Sequence, residues 1–126
     1  MDGSNKLDRV ETLKKNSDFR RVYSKGVSFV NPALVTYVFK NRAGNCRLEN
    51  CRLGITTSKK IGNAVKRNRS RRVIRAAYRA VRGEITAKGC SIVFVARGKT
   101  ASMKSTELEV VMRQHLKKAG LIEENQ

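Results

Sequence analysis

One cationic segment constrains this chain more than any other feature. Seven of the fifteen residues at positions 58–72, SKKIGNAVKRNRSRR, are Lys or Arg, and positions 50–83 contain no Asp or Glu. The segment nevertheless has helix-forming residues and apolar side chains at helical spacing. Repulsion between side chains of one charge sign destabilises a folded element. Binding to a polyanion usually compensates for this cost, because the phosphates are neutralised and their counterions are released. The segment therefore predicts a folded element that binds nucleic acid.

Composition favours one folded domain over a basic tail. The 126 residues carry 28 basic and 10 acidic side chains, a net charge of +18, yet 40% of them are hydrophobic. Disordered basic segments usually lack such an apolar fraction. We expect a single domain over residues 1–126, with 1–12 and 120–126 flexible. No apolar run of membrane-spanning length and no signal-peptide core occur, so we expect a cytoplasmic protein without a membrane partner.

The cysteines do not form a recognisable framework. Cys46, Cys51 and Cys90 are odd in number and show no C-x-x-C spacing. This pattern predicts free thiols in a reducing compartment. A zinc site built from them and His115 matches no common ligand spacing, and we expect the protein alone to bind no metal or cofactor.

Hydrophobic periodicity predicts short helices and strands around the cationic segment. Asn16 is a candidate N-cap, and Phe19, Val22 and Tyr23 share one face of a helix that Gly26 can end. We predict strands over 29–40, 51–57 and 91–96, a loop over 41–50 and a last helix over about 103–118. Gly54 marks a point of close approach within its strand. Both faces of 91–96 are apolar, which indicates a central strand.

The cationic segment leads into a long middle helix. At about 100° per residue, one arc of the helix collects Asn68, Arg71, Arg72, Arg75, Arg79 and Arg82, and the face opposite collects Val65, Val73, Ala76, Ala77, Ala80 and Val81. Arg67 lies beside the basic arc. Lys66 and Arg69 fall on the apolar side, so we expect loss of Arg69 to disturb folding. An ordinary solvated face mixes charge signs. Here no carboxylate relieves the repulsion, and guanidinium forks suit phosphate oxygens.

Three parts of the sequence resemble one known family. The run from Gly54, GITTSKKIGNAVKRNRSRRVIR, is similar to the signature of the bacterial ribonuclease P protein component. The segments LKKNSDFRRVYSKG from Leu13 and IVFVAR from Ile92 resemble that family's first helix and last strand. The resemblance covers about residues 13–116. Thr57 and Ser70 depart from the family's pattern, because aliphatic residues are common at both positions.

The resemblance implies a fold and two binding surfaces. The fold would be an α+β sandwich, α-β-β-β-α-β-α, with helices on a mixed four-stranded sheet and a left-handed β-α-β crossover. The partners would be a catalytic RNA and precursor tRNA, with magnesium held through the RNA and no DNA. The residues facing the catalytic RNA would be Lys59, Lys60, Asn63, Lys66, Arg67, Asn68, Arg69, Arg71, Arg72, Arg75 and Arg79. Phe19, Tyr23 and Tyr37 would line a cleft for the single-stranded 5′ leader, since aromatic faces accept stacked bases. The chain would assist removal of that leader, as part of an endoribonuclease whose catalytic centre lies in the RNA.

Other interpretations remain open at this level. Charge alone fits a small ribosomal or architectural RNA-binding protein equally well. A self-sufficient nuclease needs clustered carboxylates or a histidine at the reaction centre, whereas the acids are scattered and His115 lies on an apolar helix stripe. Phe19, Tyr23 and Tyr37 are also compatible with an ordinary aromatic core.

Overall fold

The computed structural model describes Leu13 and residues 16–40, 52–86 and 89–123. Their elements follow the order α1, β1, β2, β3, α2, β4, α3. The bounds are α1 Asn16–Lys25, β1 Val27–Asn31, β2 Leu34–Lys40, β3 Arg52–Thr56, α2 Ala64–Val81, β4 Cys90–Ala96 and α3 Ser105–Lys118. The predicted loop over 41–50 and the predicted flexible residues 1–12 lie outside the described residues.

The strands form one mixed sheet in the order β1-β2-β4-β3. β1 pairs with β2, and β2 with β4, in antiparallel fashion. β3 and β4 are parallel neighbours, with Leu53 opposite Ile92, and α2 connects them. This arrangement confirms the predicted α+β class with helices on a mixed four-stranded sheet; the hand of the β-α-β crossover stays a prediction. β4 lies inside the sheet and is buried on both faces, as its apolar sequence predicts.

The single strand predicted over 29–40 is wrong, because the segment folds into two strands. β1 ends at Asn31 and β2 begins at Leu34. Pro32 between them has no N–H to donate to a ladder. The side-chain Oδ1 of Asn31 accepts a hydrogen bond from the Ala33 N–H at 2.8 Å. These two local features make a tight turn that period-two alternation does not reveal.

Two helices cover one face of the sheet and the third covers the other. The larger core contains side chains of α2 and α3 packed on alternate residues of the strands, including Leu34, Leu53, Ile92, Phe94, Ile74, Leu108 and Met112. α1 lies on the opposite face, where Val22 packs with Leu13 and Val93 in a smaller cluster. Phe19, Tyr37, Phe39 and Val95 border that cluster. The incompletely covered α1 face leaves room for a surface groove.

The helical register predicted for α2 is wrong in part. The buried stripe consists of Ser70, Ile74, Ala77, Tyr78 and Val81, whereas Val65 is 73% exposed. Lys66, Arg69, Ala76 and Ala80 are exposed as well. Alanine occurs on buried and on exposed helix faces alike, so Ala76 and Ala80 did not indicate which face is buried. The buried position of Ser70 was not expected, because serine is polar. Ser70 is tolerated at 0% exposure because its hydroxyl donates to the Lys66 carbonyl at 3.0 Å.

Two further predictions fail at the ends of elements. Leu121 and Ile122 pack into the core, and the Leu121 carbonyl accepts a hydrogen bond from the Thr86 N–H at 2.9 Å. The expected flexibility is therefore wrong for these two residues of 120–126. Cys90 is disulfide-bonded, so the prediction of free thiols is wrong there. A disulfide depends on the distance between two cysteines in the folded chain, which cysteine spacing in the sequence does not show.

Candidate nucleic-acid interface

The basic surface begins at a turn that fixes the start of α2. A short 3-10 segment, Lys59–Ile61, is anchored by the buried Ile61 and leaves both lysines exposed. Asn63 then caps α2, since its Oδ1 accepts a hydrogen bond from the Lys66 N–H at 2.9 Å. Asn63 is therefore the residue at which α2 begins, and the residues of its first turn are exposed.

Most of the predicted RNA-facing residues lie on the exposed part of α2. Lys66, Asn68, Arg69, Arg71, Arg72, Arg75 and Arg79 are exposed, and Arg67 is half-buried. Within the described part of the chain, none of these cations forms an ion pair with a carboxylate; the ion pairs there involve Arg52 and Arg113. A helix of one charge sign without internal partners can accept several phosphates at once.

The three aromatic residues expected to line a cleft come together on the α1 face of the sheet. The ring centroids of Tyr23 and Tyr37 are 4.9 Å apart in an edge-to-face arrangement, and those of Phe19 and Tyr23 are 6.5 Å apart. Tyr23 remains 37% exposed, while Phe19 and Tyr37 are half-buried. The group is thus neither a closed core nor a free surface; we call the partly exposed aromatic surface of Phe19, Tyr23 and Tyr37 the aromatic groove.

Residues of β3 hold the side chains of the aromatic groove in place. The Tyr23 hydroxyl and Thr56 Oγ1 share a hydrogen bond of 2.7 Å. Phe19 lies over Gly54, where a Cβ would stand 2.6 Å from its Cε1 atom. The close approach predicted for Gly54 is therefore confirmed, and its neighbour is Phe19. At the start of the strand, Arg52 and Asp18 lie 3.9 Å apart.

The basic helix and the aromatic groove meet at β3. Nε and Nη2 of Arg71 donate to Thr57 Oγ1 at 3.3 and 3.2 Å. A cavity of about 310 Å³ between them is lined by Leu13, Phe19, Leu53, Gly54, Ile55, Arg71 and Arg75. Sequence reasoning treated the two surfaces separately and missed the roles of Thr56 and Thr57. Its one signal was that Thr57 departs from the family's aliphatic pattern.

Acidic and histidine side chains are engaged elsewhere. Glu84 accepts hydrogen bonds from Arg113 at 2.9 to 3.1 Å, on the surface beside α3. His115 is buried and shares a hydrogen bond of 2.7 Å with Thr36 through Nδ1. Burial lowers the pKa of His115, and the positive charge of Lys118 lowers it further. The predicted position of His115 on an apolar stripe of the last helix is confirmed. Among the described residues, no three His, Cys, Asp or Glu side chains converge in a metal-binding group.

Comparison with known proteins gives a consistent result. A family model described as Ribonuclease P matches residues 7–120. The chain is 44% identical to the ribonuclease P protein component of Clostridium novyi over 115 residues, which is 91% of this chain and 98% of that protein. The solved structure of the Staphylococcus aureus RNase P protein superposes with a TM-score of 0.73 at 33% identity, covering 90% of this chain and 99% of that one. The Thermotoga maritima RNase P protein gives 0.62 at 29% identity, with 92% and 99% covered.

Fold and site together define a small, basic α+β RNA-binding protein, with an arginine-rich helix beside an aromatic groove. Within that class, the chain belongs to the ribonuclease P protein family. It is the protein part of a ribonucleoprotein endoribonuclease that acts in tRNA processing. The helices in the described residues include none that could span a membrane.

Proposed function

We propose that the chain binds the catalytic RNA through α2 and the preceding turn, and the 5′ leader of precursor tRNA through the aromatic groove. The observation that carries the proposal is the meeting of the two surfaces at β3, where Phe19, Arg71 and Arg75 line one cavity. A single-stranded leader bound in the groove would run directly beside α2, which binds the catalytic RNA in this proposal. One protein could then hold substrate and catalytic RNA in a fixed relation.

The basic surface supports the first half of this proposal. Lys59, Lys60 and Asn63 precede the exposed cations of α2 on one continuous stretch of chain. Arginine predominates over lysine in α2, and its planar fork can bind two phosphate oxygens or stack on an exposed base. Folded RNA presents both kinds of group, which favours a structured RNA as the partner of this helix.

The groove supports the second half. Tyr23 and Tyr37 present aromatic surface beside Phe19, which lines one cavity with Arg71 and Arg75. Aromatic and cationic side chains together bind single-stranded nucleic acid without sequence preference. The edge-to-face pair is fixed from below by the sheet and from the side by the Tyr23–Thr56 hydrogen bond. A groove formed before binding loses little entropy when a flexible leader enters it.

Cleavage itself is assigned to the RNA. Water activation by protein groups would require a base or clustered carboxylates near the groove, and the one acid described there, Asp18, lies beside Arg52. Magnesium would then be held through the RNA. The family membership favours this assignment over a ribosomal or architectural role.

The leader proposal is tested with the reconstituted holoenzyme. Tyr23→Leu and Tyr37→Leu keep apolar volume but remove the ring faces. For each base that no longer stacks, the preference for precursor over mature tRNA should fall by about 1–3 kcal/mol, or about 5- to 150-fold. Affinity for mature tRNA should not change. Val110→Ala, an exposed change on α3, is the control. An unaltered precursor preference in a folded double variant would refute the leader assignment.

A further inference from the structure

A second and larger cavity lies at the opposite edge of the sheet from the basic helix. It encloses about 560 Å³ where α1 and α3 end, β1 begins and β2 ends. Its lining is Lys25, Val27, Phe29, Val38, Phe39, Lys40, Lys118 and Ala119. None of these residues belongs to the groove or to α2. A volume of this size is typical of sites for small ligands.

The rim of this cavity is cationic. Lys25, Lys40 and Lys118 come from three different elements and line the same opening. No carboxylate in the described ranges pairs with any of them. The Lys40 ammonium approaches Gly120, within 3.0 Å of where a Cβ would stand on that residue. Three converging like charges raise the electrostatic energy of the empty site, and a bound anion would lower it.

The floor of the cavity is apolar and partly open. Val27 is 61% exposed although it begins a strand. Phe29 is half-buried, and its ring centroid lies 5.9 Å from that of His115. Phe39 is half-buried as well, and its side chain lies on the other face of the sheet, beside α1. An anion alone would leave this apolar surface in water, so the site suits a ligand with an anionic group and a planar or apolar body.

We propose that this cavity is a nucleotide-binding site, with the phosphate held by the three lysines and the base packed against Val27 and Phe29. A phosphate accepts several charge-assisted hydrogen bonds at once, which matches a rim of three ammonium groups. The site is separate from the groove, because the two share no residue. Tyr23 reaches Thr56 at the end of β3, whereas Gly26 approaches Val38 beside the cavity. The same chemistry is offered by a free nucleotide and by one nucleotide unit of an RNA strand. The proposal does not depend on the leader assignment.

The experiment uses the full chain labelled with ¹⁵N and titrated with adenosine 5′-monophosphate. Adenosine and inorganic phosphate are titrated separately as the two halves of the probe. We expect the amide signals of Val27, Phe29 and Ala119 to shift saturably, with tighter binding for the nucleotide than for either half. Lys118→Gln should weaken nucleotide binding about two- to five-fold, the range for one solvent-exposed charge pair. Lys117→Gln removes the same charge from the neighbouring position, which does not line the cavity, and should have little effect.

A short single-stranded oligoribonucleotide distinguishes the two sources of the ligand. If Lys118→Gln weakens the binding of the oligonucleotide at Val27 and Phe29 but the mononucleotide causes no shift, the site takes a nucleotide within RNA. If both probes respond, it also takes free nucleotides. If Lys117→Gln and Lys118→Gln weakened nucleotide binding equally, the binding would reflect the overall positive charge of the protein and not this cavity, and the proposal would be overturned. Absence of shifts with both probes, or shifts only with anionic phosphatidylglycerol vesicles, would overturn it as well.

Discussion

At the scale of single residues, a missing side chain shapes the groove. Gly54 has no Cβ, and one built there would stand 2.6 Å from Phe19 Cε1 and 3.1 Å from Leu13 Cδ1. Phe19 can therefore lie close against β3 while Tyr23 reaches Thr56 at the end of the same strand. The position of the aromatic groove depends on this glycine as much as on the aromatic residues themselves.

Gly54→Ala should therefore displace Phe19 and destabilise the protein. We expect a decrease of about 1–3 kcal/mol in the free energy of unfolding, the usual cost of overpacking, together with weaker leader binding. Urea unfolding measures the first effect and precursor affinity the second. Gly98→Ala is the matched control, because nothing lies within 4 Å of a Cβ there. Similar unfolding midpoints for both variants would contradict the close approach of Phe19 to Gly54.

A buried histidine makes stability depend on pH. His115 faces Thr36, Phe29 and Lys118, and burial followed by the Lys118 charge lowers its pKa below the ordinary 6.5. The folded state thus favours the neutral ring. This stability is fully present above pH 6.5 and is lost as the pH falls through that value toward the folded pKa.

The prediction is that wild type loses more stability on acidification than His115→Gln does. Carboxylate titration is common to both proteins, so the difference between their free energies of unfolding isolates the histidine. Urea unfolding from pH 8 to pH 5, an interval chosen around the ordinary histidine pKa, should show this difference narrowing as the pH falls. A constant difference would show that the pKa of His115 is the same in the folded and unfolded states.

At the scale of elements, the side chains of α2 that pack in the core and its exposed arginines occupy different parts of its circumference. The stripe of Ser70, Ile74, Ala77, Tyr78 and Val81 packs on the sheet. The arginines occupy the remaining surface, and Arg69 is among them. The exposed arginines can therefore be changed without disturbing the core, which the sequence-based register did not predict for Arg69.

Arg69→Ala and Arg72→Ala should both leave the melting temperature unchanged. Each should reduce the log–log salt dependence of RNA binding by about 0.7 to 0.9 for every phosphate that is no longer neutralised. Ile74→Ala is the control for a change in the core. Because Ile74 is fully buried, we expect the free energy of unfolding of this variant to fall by about 2–5 kcal/mol. Salt titrations and thermal melts measure the two quantities. A lower melting temperature for Arg69→Ala alone would restore the register predicted from sequence.

At the scale of the whole molecule, the sheet brings the basic and aromatic surfaces together at β3. Among the described residues, no three His, Cys, Asp or Glu side chains form a metal-binding cluster. α2 and α3 cover one face, and α1 crosses the other and leaves the groove open. Acids of the described residues pair with arginines at the surface, as Asp18 does with Arg52 and Glu84 with Arg113.

The protein freed of RNA should not process precursor tRNA in the presence of magnesium. Gel analysis of the substrate after prolonged incubation checks this, with the reconstituted holoenzyme as the positive control. Cleavage at one defined position by RNA-free protein, abolished together with folding in Ile74→Ala, would contradict the assignment of catalysis to the RNA.

The sequence by itself determined the existence of most elements and of the basic surface, because periodicity, caps and charge are local properties. Asn63 as the start of α2, the buried strand β4 and the close approach at Gly54 were all predictable in this way. Other features depended on tertiary structure. The buried face of α2 and the disulfide at Cys90 depend on which elements pack together. The same holds for the meeting of Arg71 and Phe19 at β3: residues 52 positions apart share a cavity only after the sheet has formed, and no local pattern encodes that distance.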